Sequence, residues 1–327
     1  MPFKYTLCLL LVWLCANTVF AQKQNVYFLK NSGKYVDSKD NADYIRIVSE
    51  PDSGTTFYNL KEYYKDGKAK FIGKTSRIEP PMLEEQCIEF FSSGKRKELA
   101  NYKKGSRTGK VYDYYPNGKL YVVKQYSDTK KSQYDSMDGD YTILACNDST
   151  GKALVADGNG YYVGFDDNFK YIEEEGNLKA GLKDGDWKGQ DINKNFKLTF
   201  TEKYDNGKLL GGQAADNEGH QYNYTKRQIE PEFTGGLNAL YSYLGSNIKY
   251  PVEAKKRNIQ GKVILKFIVE KDGNIADIEV LKTPSTDLAN EAIRVLKKTP
   301  KWIPGTRNGR PVRVLYTLPI NFSLGEG

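Results

Sequence analysis

The sequence predicts two architectures in one chain: an elongated antiparallel array of β-hairpins, followed by a small α+β domain with a three-stranded antiparallel sheet. The chain has 327 residues, enough for two domains of ordinary size. Its 25 tyrosines and 30 glycines favour strands joined by tight turns. A short motif recurs through the first two thirds, and the last quarter alternates apolar and polar residues around one helical segment.

The first 21 residues predict an export signal. Lys4 precedes an apolar run that ends at Phe20, shorter than the roughly 20 residues that span a bilayer. Val19 and Ala21 place small residues where a signal peptidase cuts. We therefore predict a signal peptide at residues 1–21 and a periplasmic protein. An uncleaved inner-membrane anchor is the alternative.

Net charge limits the classes of partner, and the cysteine count limits the possible disulfides. The formal net charge is +8, spread as single lysines beside turns, which is typical of a solvated surface. Together with export, this argues against a nucleic-acid partner. After loss of the signal only Cys87 and Cys146 remain. They could pair in an oxidising compartment or stay as two buried free thiols.

A hairpin motif recurs between residues 57 and 225 with a period of roughly 22–27 residues. In each copy aromatic residues precede a turn ending in Gly-Lys, and Asn-Gly or Asp-Gly supplies the positive φ angles of a two-residue hairpin turn. The copies stand at residues 63–68, 90–95, 114–120 and 204–209. Each hairpin needs its neighbours to bury its aromatic face. The motif resembles MORN-type repeats, which implies a scaffold or binding surface. Residues 22–56 are predicted to cap the array.

The last quarter predicts the order strand, turn, strand, helix, strand. The strands are expected near residues 262–269, 276–280 and 312–318, with a helix between Ser285 and Pro300. Ser285 is a helix N-cap candidate, and Leu288, Ala292 and Val295 form an apolar stripe behind it.

This segment resembles the C-terminal domain of TonB, the periplasmic energy-transducing protein of Gram-negative bacteria, in its Bacteroidetes form. The matching motifs are Tyr250-Pro251, Ile259-x-Gly261, Asp272-Gly273-x-Ile275, Trp302-x-Pro304-Gly305 and Gly309. A lead-in from Pro231 to Gly236 extends the resemblance. We predict that the domain spans residues 226–327, joined to the array through a polar linker at residues 221–230. Trp302 is expected to anchor the core.

The resemblance implies β-augmentation, in which the last strand pairs with an extended peptide, the TonB box, of an outer-membrane transporter. The expected edge consists of Val312, Arg313, Val314, Leu315, Tyr316 and Thr317. Pro319 fits an edge strand. A second peptide contact is expected at Asn247, Ile248 and Lys249, although these residues depart from the family's pattern. Further expected partners are the inner-membrane proton-channel complex, if the N-terminal segment is retained, and a second copy of the chain in a homodimer.

Catalytic chemistry has few candidate residues. His220 is the one histidine, and no nucleophile elbow or phosphate-binding loop occurs. We predict no enzyme activity, no catalytic residues, no cofactor and no metal site. Two functions remain: a transport-linked TonB-like adaptor, or a cell-envelope scaffold in which the array carries the interaction with protein, peptidoglycan or lipid.

Overall fold

The computed structural model describes residues 23–127, 141–193 and 196–324. The predicted signal peptide at residues 1–21 lies outside the described residues. Within the described part of the chain, no helix has the length and apolar character needed to cross a membrane. The chain divides into two compact units, Met1–Leu120 and Tyr121–Gly327.

The first unit is an antiparallel meander. Its strands are β1 (Gln24–Leu29), β2 (Tyr35–Val36), β3 (Tyr44–Ser49), β4 (Tyr58–Tyr64), β5 (Ala69–Thr75), β6 (Leu83–Phe90), β7 (Arg96–Lys103) and β8 (Ser106–Tyr114). Strand β1 pairs with β2 and β3, and from β3 to β8 each strand pairs with the next. The predicted cap region therefore continues directly into the repeat strands, because β3 pairs with β4.

The Gly-Lys element of the repeat links successive turns in this unit. The ammonium of Lys68 donates to the carbonyl of Ser92 at 3.1 Å, and that of Lys95 donates to the carbonyl of Asn117 at 2.9 Å. Each lysine thus binds the turn of the following repeat. The prediction of two-residue turns is wrong here. At Gly67, for example, the loop closes through a bond from the Tyr64 N–H to the Lys68 carbonyl, and the glycine takes a φ of 86°.

The second unit begins with nine strands. They are β9 (Leu120–Tyr126), β10 (Tyr141–Asn147), β11 (Ala153–Ala156), β12 (Asn159–Phe165), β13 (Ile172–Lys179), β14 (Leu182–Asn193), β15 (Phe196–Asp205), β16 (Lys208–Asp216) and β17 (Gln221–Tyr224). Each pairs antiparallel with the next. The two-residue turn is confirmed between β15 and β16, where Asn206 and Gly207 both have positive φ. The predicted antiparallel hairpin array is confirmed.

Aromatic side chains lie over glycines of the adjacent strand in this part of the array. Trp187 stands directly opposite Gly176, Phe200 opposite Gly189, and Tyr224 opposite Gly212. Each ring is at most 8% exposed. A Cβ on Gly176 would lie 2.5 Å from the indole of Trp187. The glycines therefore provide the room in which a sheet face buries large aromatic rings, and these aromatics form a core, as predicted.

The C-terminal part contains three helices and further strands. They are β18 (Gln228–Ile229), α1 (Gly236–Asn247), α2 (Val252–Lys256), β19 (Gly261–Val269), β20 (Ile275–Lys282), α3 (Thr286–Leu296), β21 (Thr306–Arg307), β22 (Arg310–Pro311) and β23 (Val314–Phe322). The main sheet has the order β20-β19-β23, which confirms the predicted three-stranded antiparallel sheet. Neither α1 nor α2 was predicted from the sequence.

Helix α3 forms as its sequence predicts. The Ser285 hydroxyl accepts a bond from the Leu288 N–H, and the apolar stripe packs against the inward side chains of β19 in one core. Trp302 is 3% exposed, and its ring lies 5.5 Å from that of Phe267. The prediction of Trp302 as a core anchor is confirmed.

Residues 221–230, which the sequence predicts to be a linker, include two strands. Residues 221–224 form β17, and residues 228–229 pair with β21. Between them, the Arg227 guanidinium binds Glu202 at 2.5 Å and Glu174 at 2.8 Å. The predicted polar linker is wrong because the polar composition of this stretch concealed strand alternation and a buried ion pair. The domain boundaries themselves stay a prediction.

A tight turn of the C-terminal part sits on the array strands at this point. Asn308 and Gly309, with φ of 50° and 74°, connect β21 to β22. The Asn308 amide donates to the Tyr224 hydroxyl at 2.9 Å, and the Asn308 N–H donates to the Arg227 carbonyl at 2.6 Å. A Cβ on Gly309 would lie 3.0 Å from the Asn223 carbonyl, so this contact requires glycine.

Cys87 in β6 and Cys146 in β10 are buried free thiols. Burial raises the pKa of each thiol from its ordinary value of 9.0 to about 11. We expect iodoacetamide to leave both thiols of the native protein unmodified near neutral pH and to label both after unfolding. Because the folded thiols hold their protons more tightly, the free energy of unfolding should fall as pH rises from about 9 to about 11. Rapid labelling of the native protein would contradict this expectation.

Candidate functional site

Strand β23 is an outer strand of the main sheet. It pairs antiparallel with β19 along its whole length, from Val314 opposite Val269 to Phe322 opposite Gly261. Because the sheet order is β20-β19-β23, the other side of β23 is not paired within the described part of the chain. Such an edge exposes backbone donors and acceptors that can pair with another strand.

The structure places four of the six predicted edge residues in β23: Val314, Leu315, Tyr316 and Thr317. Val312 and Arg313 precede the strand, so the prediction that it begins at Val312 is wrong. The Val312 N–H donates to the Gly305 carbonyl at 2.9 Å, which keeps this residue in the connection from β22. The alternation of apolar residues includes Val312, so the sequence predicts an earlier start for the strand. The contact with Gly305 depends on the fold and could not be predicted from the sequence.

Two observations assign the direction of the backbone groups in β23. Pro319 has no N–H and lies opposite Ile264, so its nitrogen faces away from β19. Leu324 is even-numbered, so its backbone groups point the opposite way from those of Pro319. Its N–H donates toward β19, to the Gln260 side chain at 2.8 Å. In an antiparallel strand the N–H and C=O of one residue point the same way, and the direction alternates. Leu315, Thr317 and Asn321 therefore direct their N–H groups to the open side.

The side chains of β23 alternate in the same way. Val314 and Tyr316 face the core side, and the Tyr316 ring lies 5.2 Å from that of Trp302. Leu315 is 60% exposed, and Thr317 is also exposed. A peptide strand added to this edge would therefore extend a sheet whose inward side chains are already packed in the core.

Arg313 fixes the connection that leads into β23. Its guanidinium binds Glu270 at 2.8 Å and Asp277 at 3.4 Å, both in the β19–β20 hairpin region. Hydrogen bonding to Glu270 raises the pKa of Arg313 further above its usual range. Arg313 therefore holds the residues that lead into β23 against the β19–β20 hairpin.

The opposite edge of the sheet, β20, is less suited to pairing. Asp277 has a φ of 50°, and the register with β19 shifts between Lys266 and Ile268. A bulge of this kind interrupts the regular spacing of ladder groups and protects an edge from added strands. The regular open edge of the sheet is β23.

The predicted second contact lies beside β23, but only in part. Ile248 lines a groove of about 550 Å³ that it shares with Tyr241 and Gly245 of α1 and with residues 319–323. The groove therefore follows the second half of β23 rather than the predicted residues 312–317. Its α1 wall was missed by sequence reasoning because α1 itself was missed.

Asn247 and Lys249 serve the local structure. The Asn247 amide donates to the Tyr243 carbonyl of its own helix at 2.8 Å. The Lys249 N–H donates to Glu291 at 2.6 Å. Hydrogen bonding to Arg294, followed by that to Lys249, lowers the pKa of the Glu291 carboxyl. Of the three predicted residues, Ile248 is the one that lines the groove.

One polar cluster on the array was not predicted. Asp216, Glu218 and His220, at the β16–β17 turn, bring potential ligand atoms within 4.8 Å of one another. The Asp216 carboxylate accepts bonds from the N–H groups of Glu218 and His220, each at 3.0 Å, and from the Tyr222 hydroxyl at 2.9 Å. These bonds account for the cluster as a turn, and we assign it no metal.

Comparison with known proteins gives a consistent result for the C-terminal part. Residues 246–324 match the family described as Gram-negative bacterial TonB protein C-terminal. Two curated relatives, each named Protein TonB and each from a strain of Helicobacter pylori, are 29% identical over 116 residues. That alignment covers 35% of this chain and 37% and 38% of the relatives, so the chain spans less than two fifths of their length. A TonB C-terminal domain at residues 246–324 is thereby confirmed. MORN-type repeats stay a prediction, which the antiparallel hairpin array fits.

Proposed function

We propose that this chain is a periplasmic TonB-like protein that binds outer-membrane transporters by β-strand addition and is linked to energy-dependent transport. The TonB C-terminal domain and the weak similarity to TonB proteins support a TonB-like role in transport energy transduction. The observation that carries the proposal is the open, regular edge of β23 with outward N–H groups at Leu315, Thr317 and Asn321. The same family is a non-enzymatic transducer, consistent with the absence of catalysis predicted from the sequence.

The partners of this proposal are those of the family. An extended TonB-box segment of a transporter would pair with β23 through main-chain hydrogen bonds. Each such bond contributes about 0.5–1.5 kcal/mol, so a short peptide should bind weakly to moderately. The inner-membrane proton-channel complex is a further proposed partner if the N-terminal segment is retained. A second copy of the chain, in a homodimer, is also a proposed partner.

Thr317 offers a direct test, because its N–H faces outward and its side chain is exposed. Thr317→Pro removes that donor without touching the ladder to β19, just as Pro319 does. We expect about a tenfold or greater loss of affinity for a TonB-box peptide of the same organism, from the lost bond and the ring's clash with the added strand. Isothermal calorimetry measures it.

Thr317→Ala is the matched control, since it removes the side chain and keeps the N–H. It should bind the peptide as the wild type does, and both variants should keep the melting temperature within a few degrees. If Thr317→Pro is folded and binds with unchanged affinity, the peptide does not pair with this edge. The envelope scaffold, with the array as binding surface, then becomes the better candidate.

One feature of the array favours that second candidate. A surface groove of about 480 Å³ crosses strands β12–β16, with Tyr161, Glu175 and Lys188 among its lining residues. Tyr161 is 40% exposed, which suits it to stacking on a ligand. We also retain, as a proposal, the division into a signal peptide (1–21), a cap (22–56), an array (57–225) and a C-terminal domain (226–327).

A further inference from the structure

We infer that the groove beside the second half of β23 receives one bulky apolar side chain of the bound peptide, and that Gly245 sets how large that side chain can be. This inference rests on the proposed function, because it concerns the peptide that pairs with β23. It adds a side-chain specificity site, built by α1, to a contact otherwise made by backbone groups.

The backbone of β23 changes character at the groove. By the alternation of the backbone groups, Thr317 and Asn321 direct their N–H groups to the open side, away from β19. Between them Pro319 offers no donor. A peptide strand following this edge therefore loses a ladder bond opposite Pro319. Contacts that hold it there must come from side chains.

The walls of the groove are suited to an apolar side chain. On the α1 side, Leu244 is buried and Tyr241 is 49% exposed. The Tyr250 hydroxyl donates to the Ile259 carbonyl at 2.5 Å, which fixes that ring in the lining. With a volume of about 550 Å³, the groove lies within the range of about 300–1,000 Å³ typical of ligand pockets. Lys262, Asn321 and Ser323 add polar groups to a lining that is otherwise apolar.

Gly245 is what keeps this space open. It lies inside α1, where glycine is less favourable than alanine and where no positive φ calls for it. A Cβ placed on Gly245 meets no atom within 4 Å. Neither the helix backbone nor close packing therefore requires this glycine. Its missing side chain leaves room between α1 and β23.

The occupant we assign is the side chain of an extended peptide rather than a free small molecule. The groove is continuous with the open edge of β23, since residues 319–323 form one of its walls. A strand paired at Thr317 thus passes directly over it. Alternating residues of a β-strand face the same side, so one residue of the peptide is placed to enter.

The experiment fills the groove and scans the peptide. Gly245→Leu should weaken binding of a TonB-box peptide about tenfold or more, because it occupies the space of the inserted side chain. Ser242→Leu, on the same helix, exposed and outside the groove, is the matched control and should leave affinity unchanged. Since a Cβ at position 245 meets no atom within 4 Å and both positions are exposed, both variants should fold as the wild type does, which circular dichroism and thermal melting verify.

An alanine scan of the peptide identifies the inserted residue. Alanine at one apolar peptide position should lower the affinity for the wild type about tenfold and the affinity for Gly245→Leu much less. Such a difference is the energetic coupling expected of two groups in contact. Unchanged affinity of Gly245→Leu, or no peptide position coupled to it, overturns the inference. If Thr317→Pro still weakens binding in that case, the proposed function stands and the groove assignment alone fails.

Two other outcomes separate the possibilities further. If the wild type binds no peptide at all, the proposed function fails together with this inference. If the wild type is dimeric by sedimentation and Gly245→Leu makes it monomeric, the occupant is a second copy of the chain. That result also overturns the assignment of a transporter peptide.

Discussion

Replacing Arg227 with methionine is expected to lower the free energy of unfolding of the second unit by about 3–5 kcal/mol, the usual cost of removing one partner of a buried ion pair. The Glu202 side chain is 0% exposed and receives bonds from Arg227 at 2.5 and 2.8 Å. Without the guanidinium, the buried Glu202 carboxyl loses its cationic partner and retains hydrogen bonds from the hydroxyls of Tyr204 and Tyr224. Urea denaturation followed by tryptophan fluorescence measures the loss, because Trp187 lies within these strands.

Arg313→Met is the matched control for this measurement. Arg313 also binds two carboxylates, but its side chain is 52% exposed. Solvent screens exposed ion pairs, so this variant should unfold at nearly the same urea concentration as the wild type. The double variant Arg227→Met/Glu202→Gln should recover part of the stability by removing the unpaired charge. Equal losses for Arg227→Met and Arg313→Met would show that burial of the Arg227 pair has no energetic consequence.

Gly212→Ala is expected to destabilise the same unit by about 1–3 kcal/mol, the cost of overfilling a packed core. The new methyl group would lie 2.6 Å from Cε2 of the Tyr224 ring, which is itself buried. The ring cannot move freely, since its hydroxyl donates to Glu202 at 2.8 Å and accepts from Asn308. The strain should therefore also disturb the contact of the Asn308 turn. Thermal unfolding reports the loss as a lower melting temperature.

The neighbouring glycine provides an unusually close control. A Cβ on Gly211 meets only the Tyr224 carbonyl oxygen, at an ordinary 3.8 Å. Gly211→Ala should therefore be neutral or slightly stabilising, since alanine loses less conformational entropy in a strand. If the two alanine variants melt together, packing of the aromatic ring on Gly212 does not stabilise the array.

The array could be predicted from the sequence because its signals are local. Gly67 and Gly207 mark turns by residue type alone, and the aromatics before them are strong strand formers. What could not be predicted is which glycines receive a ring. Gly176 and Gly212 have no turn role, and the pairing with Trp187 and Tyr224 depends on strand register.

The site was predicted only where it is a property of one strand. Alternation and Pro319 marked the edge, and residues 314–317 do lie in it. The groove depends on α1, whose glycines at 236 and 245 weaken a helix signal, and on how α1 packs beside residues 319–323. The prediction of a linker at residues 221–230 was wrong for a related reason. Its charges resemble a solvated linker until Glu202 and Glu174 are brought from distant strands to Arg227.

The Asn308–Gly309 turn has a mechanical consequence. The chain that leaves it forms β22 and then β23, while the turn itself is bonded to Tyr224 and Arg227. Only residues 225–227 separate β17 from β18, and only residues 312–313 separate β22 from β23, so the small sheet β18-β21-β22 joins the last array strand to the edge strand through short connections. Tension applied to a strand paired with β23 would therefore pass through β22 and the bonds of the Asn308–Gly309 turn to Tyr224 of β17 and to Arg227, rather than through a flexible linker.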